Sequence, residues 1–295
     1  MPKFNLQYFN QKLSNTLIGA ILLILTYLFF SVMELTAKEL ALRFNPFLIV
    51  FARYLSQLIL LLMIFNKQFK THLKSNHKPL QILRGALLMI TTCFMFTGLA
   101  YLQFAENISI YMIGPVITTI LAILILKEKI SFTQILVVII GLIGALIIAS
   151  PNKGAFNYAV IFPFLAALCF AFFTISTKFL NTSDSNQTTL LFTAITGTIL
   201  SLPFIIYFWK WPNLNDAILM FCLGFLATAG HFLFIEALKV INASFAAPFV
   251  YLTVLLAAFW GYILYNEVPS QNTFIGAFLI ITSGFIITRF KKKIH

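Results

Sequence analysis

The sequence predicts an all-α membrane protein with ten transmembrane helices, arranged as two inverted five-helix repeats with both termini cytoplasmic. The composition is the first of three observations behind this prediction. Of the 295 residues, 60% are hydrophobic and only 9% are charged, against roughly 45–50% and 25% in soluble domains. The other two observations are a series of apolar segments of membrane-spanning length and a pattern that occurs in both halves.

Ten mostly apolar segments have about the 20 residues that a helix needs to cross roughly 30 Å of hydrocarbon. The first segment is too long for a signal peptide, lacks a small-residue cleavage site and is followed by nine similar segments, so we interpret it as a membrane helix. The predicted helices are Leu17 to Leu40, Pro46 to Phe65, Ile82 to Leu102, Ile108 to Leu126, Phe132 to Ser150, Tyr158 to Phe179, Thr188 to Trp209, Ala217 to Leu238, Ala243 to Tyr265 and Thr273 to Thr288.

The basic residues indicate how the helices are oriented. The formal net charge is +12, but Lys and Arg are spread over the connecting segments, whereas a nucleic-acid-binding protein would gather them in one basic region. If the N-terminus is cytoplasmic, most of them, including Lys178 and Arg84, are assigned to the cytoplasmic side, as the positive-inside rule expects. Both termini are then cytoplasmic and the number of spans is even.

A repeated unit marks the two halves of the chain. In each half an apolar helix ends in a glutamate, Glu128 or Glu267, and a polar turn and a glycine-bearing apolar helix follow. Each half would hold five helices, and because five is an odd number the second half must cross the membrane in the opposite sense to the first. We assign residues 1–152 to the first repeat and residues 153–295 to the second. Chance similarity between such helix pairs is the alternative interpretation.

Prolines within two predicted helices mark candidate hinges. A proline frees backbone carbonyls that neighbouring groups or water must satisfy, so Pro115 and Pro248 are candidates for bends beside a cavity. The alternative is that each helix is merely bent.

Helix one carries a polar stripe that is a candidate substrate site. Steps of three and four residues align Tyr27, Ser31, Glu34 and Lys38 on one face. Ionisable groups inside a bilayer are costly and tend to face a bundle interior or water. Glu34 and Arg53 are predicted at matching depth, so they can form a structural pair or separate to bind a substrate's ammonium and carboxylate groups. A pair between Glu34 and Lys38 at the membrane interface is the third interpretation.

Four further side chains are candidates for the transport pathway. His231 is the only histidine in a predicted membrane helix, where it would serve a proton relay or form a hydrogen bond with a neighbouring helix. Tyr101, Tyr251 and Trp260 combine a π face for cations with a hydrogen-bonding edge. The three cysteines lie in separate helices without the spacing of a zinc site, so we expect no metal, no cofactor and no catalytic residue.

The order of these features resembles the drug/metabolite transporter superfamily, in its EamA-like branch of ten-helix carriers. The resemblance covers most of the chain. It includes Lys38, the Asn45-Pro46 entry into helix two, Arg53 followed by Tyr54, and the LKEKISFTQILVVIIGLIG unit, with Asn266-Glu267 at the second-half position. The segment ASFAAPFVYLTVLLAAFWGYILYNEVP is similar to the S-adenosylmethionine transporters of intracellular bacteria.

This resemblance implies a carrier with alternating access and a substrate cavity between its halves. No phosphate-binding loop occurs in the sequence, so the energy for transport would come from gradients. The sequence also lacks the paired aspartates that an enzyme acting on prenyl diphosphates would use to bind magnesium. We expect a multi-pass protein of a bacterial inner membrane, without nucleic-acid partners. We expect it to be a monomer, with a dimer as the alternative. Its expected substrates are amino-acid-like or nucleoside-like metabolites, S-adenosylmethionine among them. An amino-acid or cationic-drug exporter and a non-transporting membrane scaffold are the alternatives.

Overall fold

The computed structural model describes residues 6–102, 104–149, 158–265 and 271–290, and within these ranges the chain is helical with no β-strand. Seven described helices are long and apolar enough to cross a membrane, and three shorter apolar helices accompany them. The chain is therefore a polytopic, all-helical membrane protein. Its helices are α1 (Leu6–Ala41), α2 (Pro46–Phe65), α3 (Phe69–His72), α4 (Lys78–Tyr101), α5 (Phe104–Tyr111), α6 (Gly114–Leu124), α7 (Phe132–Ala149), α8 (Ile161–Leu180), α9 (Asn186–Phe208), α10 (Leu214–Val240), α11 (Ala243–Ala246), α12 (Leu252–Tyr265) and α13 (Gln271–Phe290).

Two of the predicted helices are interrupted where their prolines lie. The segment predicted from Ile108 to Leu126 is divided between α5 and α6, and Pro115 occupies the first turn of α6. In the second half, a 3-10 stretch at Ala247–Tyr251 contains Pro248 and separates α11 from α12. The hydroxyl of Thr119 donates to the Pro115 carbonyl at 2.8 Å. Both interruptions therefore replace a continuous helix with shorter ones.

Glycines allow the central helices to approach closely. Helix α1 packs along α10, and α2 packs against α9 and α10. A β-carbon on Gly224 of α10 would lie 2.5 Å from the backbone nitrogen of Gln57 in α2. One on Gly230 would lie 2.5 Å from the ring of Phe30 in α1. These contacts bring α1, α2 and α10 together around the middle of the bundle.

One end of the bundle, here named the Arg43 end, joins the turn after α1 to the turn before α10. Arg43 Nη1 lies 2.8 Å from the buried Oδ1 of Asp216, and Arg43 Nη2 lies 3.4 Å from Oε1 of Glu39. The ammonium of Lys210 donates to the Arg43 carbonyl at 3.0 Å. Lys38, in the last turn of α1, belongs to this end.

The opposite end, here named the Asp184 end, joins the segment before α4 to the turn after α8. Asp184 accepts hydrogen bonds from Ser75 Oγ at 2.5 Å, Gln81 Nε2 at 2.8 Å and the backbone N–H of Asn76 at 2.9 Å. Partial burial alone would raise the pKa of Asp184, but these hydrogen bonds and the nearby His77 hold it below its ordinary value.

Glu128 links the two halves of the chain at the same end. Its carboxylate accepts from the backbone N–H of Ala243 at 3.0 Å, from that of Ser244 at 3.1 Å and from the Ser244 hydroxyl at 2.6 Å. It thereby satisfies the free N–H groups at the start of α11. Lys178 donates to the carbonyls of Leu238 and Ile241 at 2.6 Å each, where α10 ends. Glu267, the predicted counterpart of Glu128, and the predicted repeat boundary at 152 and 153 lie outside the described residues.

Candidate functional site

A cavity in the bundle is lined by residues of both halves of the chain. Small-molecule sites in proteins are mostly apolar, with a few convergent polar groups. This cavity has that character, because Glu34, Arg53 and His231 stand among aromatic and methionine side chains. Its lining comprises Phe30, Met33, Glu34, Arg53, Leu88, Thr91, Thr92, Met95, Phe96, Ile108, Tyr111, Phe170 and His231.

Arg53 is the central cation of the cavity. It is only 1% exposed, and its guanidinium donates from Nη2 to His231 Nε2 at 2.9 Å and from Nη1 to Thr92 Oγ1 at 3.2 Å. The ring of Tyr54 lies 4.5 Å below the guanidinium carbon. Arg53 Nε is buried and has no hydrogen-bond partner among the described residues. The guanidinium is thus held in place while one donor stays available.

The contact with Arg53 fixes the protonation of His231. An arginine N–H can only donate, so Nε2 of His231 must accept, and the imidazole is neutral with its proton on Nδ1. His231 Nδ1 is buried without a partner in the described part of the chain. The ring is held by Phe30 at 4.7 Å and Phe173 at 5.7 Å between centroids. Together with Arg53, His231 therefore offers a second available donor.

Glu34 supplies the negative charge of the cavity. It is partly buried, and within the described ranges no hydrogen bond or ion pair joins its carboxylate to Arg53 or Lys38. Of the interpretations left open by the sequence, neither a Glu34 to Arg53 pair nor a Glu34 to Lys38 pair is formed in this structure, and Arg53 instead contacts α10 and α4 through His231 and Thr92. The carboxylate lines the cavity as a free acceptor.

The remaining stripe residues of α1 lie beside the cavity and do not line it. Tyr27 is 2% exposed and meets the Phe30 ring edge to face at 6.0 Å. Ser31 Oγ donates to the Leu28 carbonyl at 2.9 Å and accepts from Trp260 Nε1 at 3.2 Å. Trp260 therefore connects α12 to α1 one turn before Glu34.

Two predicted pathway residues, Tyr101 and Tyr251, do not line this cavity. Tyr101 is 68% exposed near the end of α4 and stacks on Phe162 at 6.3 Å. Tyr251 is fully buried, and its hydroxyl donates to the Val138 carbonyl at 3.0 Å. A β-carbon on Gly141 would lie 2.3 Å from the Tyr251 ring. Tyr251 thus packs the 3-10 stretch against α7.

The roles of Thr92 and Arg84 in this region were not predicted from the sequence. Thr92 positions Arg53, and its own hydroxyl donates to the Leu88 carbonyl at 2.9 Å. Arg84 was assigned to the charges of the cytoplasmic side, yet it is completely buried in α4. Its position inside an apolar predicted helix was the signal that it has partners in the bundle. Among the described residues, no group of three or more His, Cys, Asp or Glu side chains is arranged to hold a metal ion.

Comparison with known proteins agrees with the fold. The EamA-like transporter family matches residues 17–150 and again residues 157–289. The S-adenosylmethionine uptake transporter of Rickettsia bellii (strain RML369-C) is 30% identical over 284 residues, with 96% of this chain and 98% of that protein covered. The protein of the same description from Rickettsia prowazekii (strain Madrid E) is 28% identical, with 96% and 97% covered. A crystal structure with 15% identity superposes with a TM-score of 0.79 and covers 95% of this chain and 98% of its own.

Proposed function

Because the chain belongs to the EamA-like transporter family, we propose that it is a secondary carrier that moves S-adenosylmethionine across a bacterial inner membrane by alternating access. The observation that carries this proposal is the set of free polar groups in the cavity. Arg53 Nε and His231 Nδ1 are unpartnered donors among the described residues, and Glu34 is an unpaired carboxylate there. These groups complement the carboxylate and the ammonium of an amino acid.

The rest of the cavity suits the nucleoside and the sulfonium of S-adenosylmethionine. Phe30, Phe96 and Tyr111 offer aromatic faces, which attract cations and stack on planar bases. Among the described residues of the lining, Glu34 alone provides a negative charge. The two Rickettsia proteins with this substrate in their descriptions match the chain over nearly its full length, which supports the same substrate class here.

The proposal includes ten membrane spans in two inverted repeats, residues 1–152 and 153–295, with both termini cytoplasmic. The seven long helices and three shorter apolar ones account for ten spans when α5 with α6 and α11 with α12 are each counted as one interrupted helix. The two family matches, one in each half, support the repeat. Under this topology the Arg43 end faces outward and the Asp184 end faces the cytoplasm.

A liposome exchange assay tests the function. Purified protein is reconstituted with internal S-adenosylmethionine, and uptake of labelled S-adenosylmethionine is measured with and without a pH gradient. Parallel vesicles receive amino acids or quaternary ammonium cations. We expect exchange of S-adenosylmethionine above that of protein-free vesicles. Flux restricted to amino acids or quaternary cations would instead indicate an exporter of those compounds, and no flux of any of them would indicate a non-transporting membrane subunit.

A further inference from the structure

A second buried arginine lies outside the cavity. Arg84 of α4 is fully buried; its Nε donates to Thr177 Oγ1 at 2.7 Å and its Nη1 to Thr193 Oγ1 at 2.5 Å. The guanidinium carbon lies 4.4 Å from the centroid of the Phe173 ring. Every one of these partners is neutral. Arg84 therefore has a cradle from α8 and α9 but no counterion among the described residues.

The cradle leaves one terminal nitrogen of the guanidinium without a partner. Arg84 Nη2 is buried without a hydrogen-bond partner among the described residues, and no carboxylate of those residues lies within ion-pair distance. The hydroxyls of Thr177 and Thr193 donate onward to the carbonyls of Phe173 and Thr189, both at 2.7 Å. They face Arg84 as acceptors only. A buried guanidinium in neutral surroundings is costly unless an anion comes to it at some stage.

Aromatic rings separate this arginine from the cavity. Phe173 lies against Arg84 on one side, and its ring stacks on Phe170, which lines the cavity, at 5.5 Å. Phe234 stacks on Phe173 at 6.0 Å. We refer to Phe170, Phe173 and Phe234 as the aromatic partition. It contacts His231 on the cavity side, with 5.7 Å between the Phe173 and His231 rings.

The two buried arginines lie at different depths. Arg53 is seven residues from the start of α2, about 10 Å from the Arg43 end, and Arg84 is six residues from the start of α4, about 9 Å from the Asp184 end. Because the 20 residues of α2 span about 30 Å, their α-carbons are about 10 Å apart along the bundle. Arg53 thus lies nearer the Arg43 end of the bundle and Arg84 nearer the Asp184 end.

We propose that Arg84 is a second carboxylate-binding site, which receives the substrate's carboxylate from Arg53 once the aromatic partition opens. This inference rests on the proposed carrier function. In the conformation described here, Arg53 lines the cavity and the partition covers Arg84. Passing the carboxylate between two fixed cations keeps it paired across the middle of the bilayer, where an unpaired charge is most costly.

The experiment separates binding from translocation. S-adenosylmethionine affinity and exchange flux are measured for Arg84→Gln, which removes the charge, and for Arg84→Lys, which keeps it. We expect Arg84→Gln to bind within about threefold of the unsubstituted protein but to exchange at least tenfold more slowly, and Arg84→Lys to recover much of the flux. Lys178→Gln is the control, because Lys178 is a cation of the same region that bonds only to helix carbonyls among the described residues.

Three results would overturn the inference. Unchanged flux for Arg84→Gln would show that the charge has no part in translocation. An equal loss of affinity and flux for both Arg84 variants would indicate a purely structural arginine, as would a matching flux defect in Lys178→Gln. If the unsubstituted protein carries no S-adenosylmethionine, the proposed function itself is refuted, so the two failures are distinguished in one experiment.

Discussion

The charged groups of the Asp184 end have hydrogen-bond partners, whereas those of the cavity keep unused donors and acceptors. At the Asp184 end, Asp184 and Glu128 each accept three hydrogen bonds, and Lys178 donates two. In the cavity, Glu34 has no partner among the described residues, and Arg53 and His231 each keep an unused nitrogen. A protein satisfies buried polar groups wherever they serve only structure. The charged groups at the Asp184 end therefore hold helices together, although the amide oxygens of Gln81, Asn181 and Asn186 there are also without a partner among the described residues, whereas the charged groups of the cavity keep capacity for a ligand.

Removing the central cation of the cavity should have the largest effect. Arg53→Gln should weaken S-adenosylmethionine binding by about 100-fold or more, because the substrate carboxylate loses a charged donor worth about 2–4 kcal/mol in a buried site. Equilibrium binding to the purified protein measures the effect. Lys210→Gln is the matched control, since Lys210 is an exposed cation of the Arg43 end. Affinity within threefold of the unsubstituted protein would contradict the site.

Neutralising the cavity carboxylate should have the next largest effect. Glu34→Gln keeps the shape of the side chain but removes the charge that faces an ammonium or sulfonium, so affinity should fall by about 10-fold or more, or about 1.4 kcal/mol for each factor of ten. Glu39→Gln serves as control because Glu39 is exposed on the same helix and pairs with Arg43. Full transport by Glu34→Gln, with the same affinity and the same response to a pH gradient, would remove Glu34 from the site.

At the Asp184 end, a change should act on stability and not on affinity. Glu128→Gln loses the charge that three donors share, and its amide NH₂ faces the N–H groups of α11, so unfolding should become easier by about 2 kcal/mol. Thermal unfolding in detergent measures the loss, and Lys129→Gln at the exposed neighbouring position is the control. A weaker substrate affinity with no loss of stability would place Glu128 among the ligand-binding groups.

Acidification should remove the contribution of Asp184 to the stability of the fold. The folded pKa of this carboxyl is below its ordinary value of 3.8, so its hydrogen bonds stabilise the fold above that value, and this contribution is lost as pH falls from about 4 through the folded pKa. The melting temperature of the unsubstituted protein should drop more over this interval than that of Asp184→Asn, which has no carboxyl to titrate. Parallel melting curves for the two proteins would argue against this contribution.

The smallest effect is expected outside both regions. Tyr101→Leu should change S-adenosylmethionine affinity by less than about twofold, because the exposed Tyr101 ring touches Phe162 and does not line the cavity. The same binding assay measures it, with Tyr101→Phe as the conservative comparison. A tenfold loss would show that the substrate reaches farther toward the end of α4 than the cavity does.

Sequence periodicity predicted where single residues lie along their helices better than it predicted which side chains they contact on other helices. Counting residues from the helix ends placed Glu34 and Arg53 at similar depth, and both line one cavity. The sequence left the partner of Arg53 open, because a position in α2 does not reveal that His231 of α10 and Thr92 of α4 will contact the guanidinium. Such contacts depend on how helices pack, and no spacing within one helix encodes them.

Aromatic and basic residues were the least predictable. Tyr101 and Tyr251 carry the same side chain and lie in apolar segments, yet one is exposed and the other is fully buried against α7. With 34 Phe residues in the chain, no aromatic pattern distinguishes a cavity from a helix contact. Arg84 was counted as a charge of the cytoplasmic side, because the positive-inside rule considers where a residue falls along the chain and not which helices surround it.

The contact of Glu128 with α11 also bears on how the chain is synthesised. Ala243, whose N–H the carboxylate accepts, follows Glu128 by 115 residues, so a ribosome finishes the first half long before that contact can form. Until then Glu128 has no α11 to bind, and without Glu128 the newly made α11 lacks an acceptor for its first N–H groups. Two fragments divided near residue 152 should therefore become stable only when both are produced in the same cell.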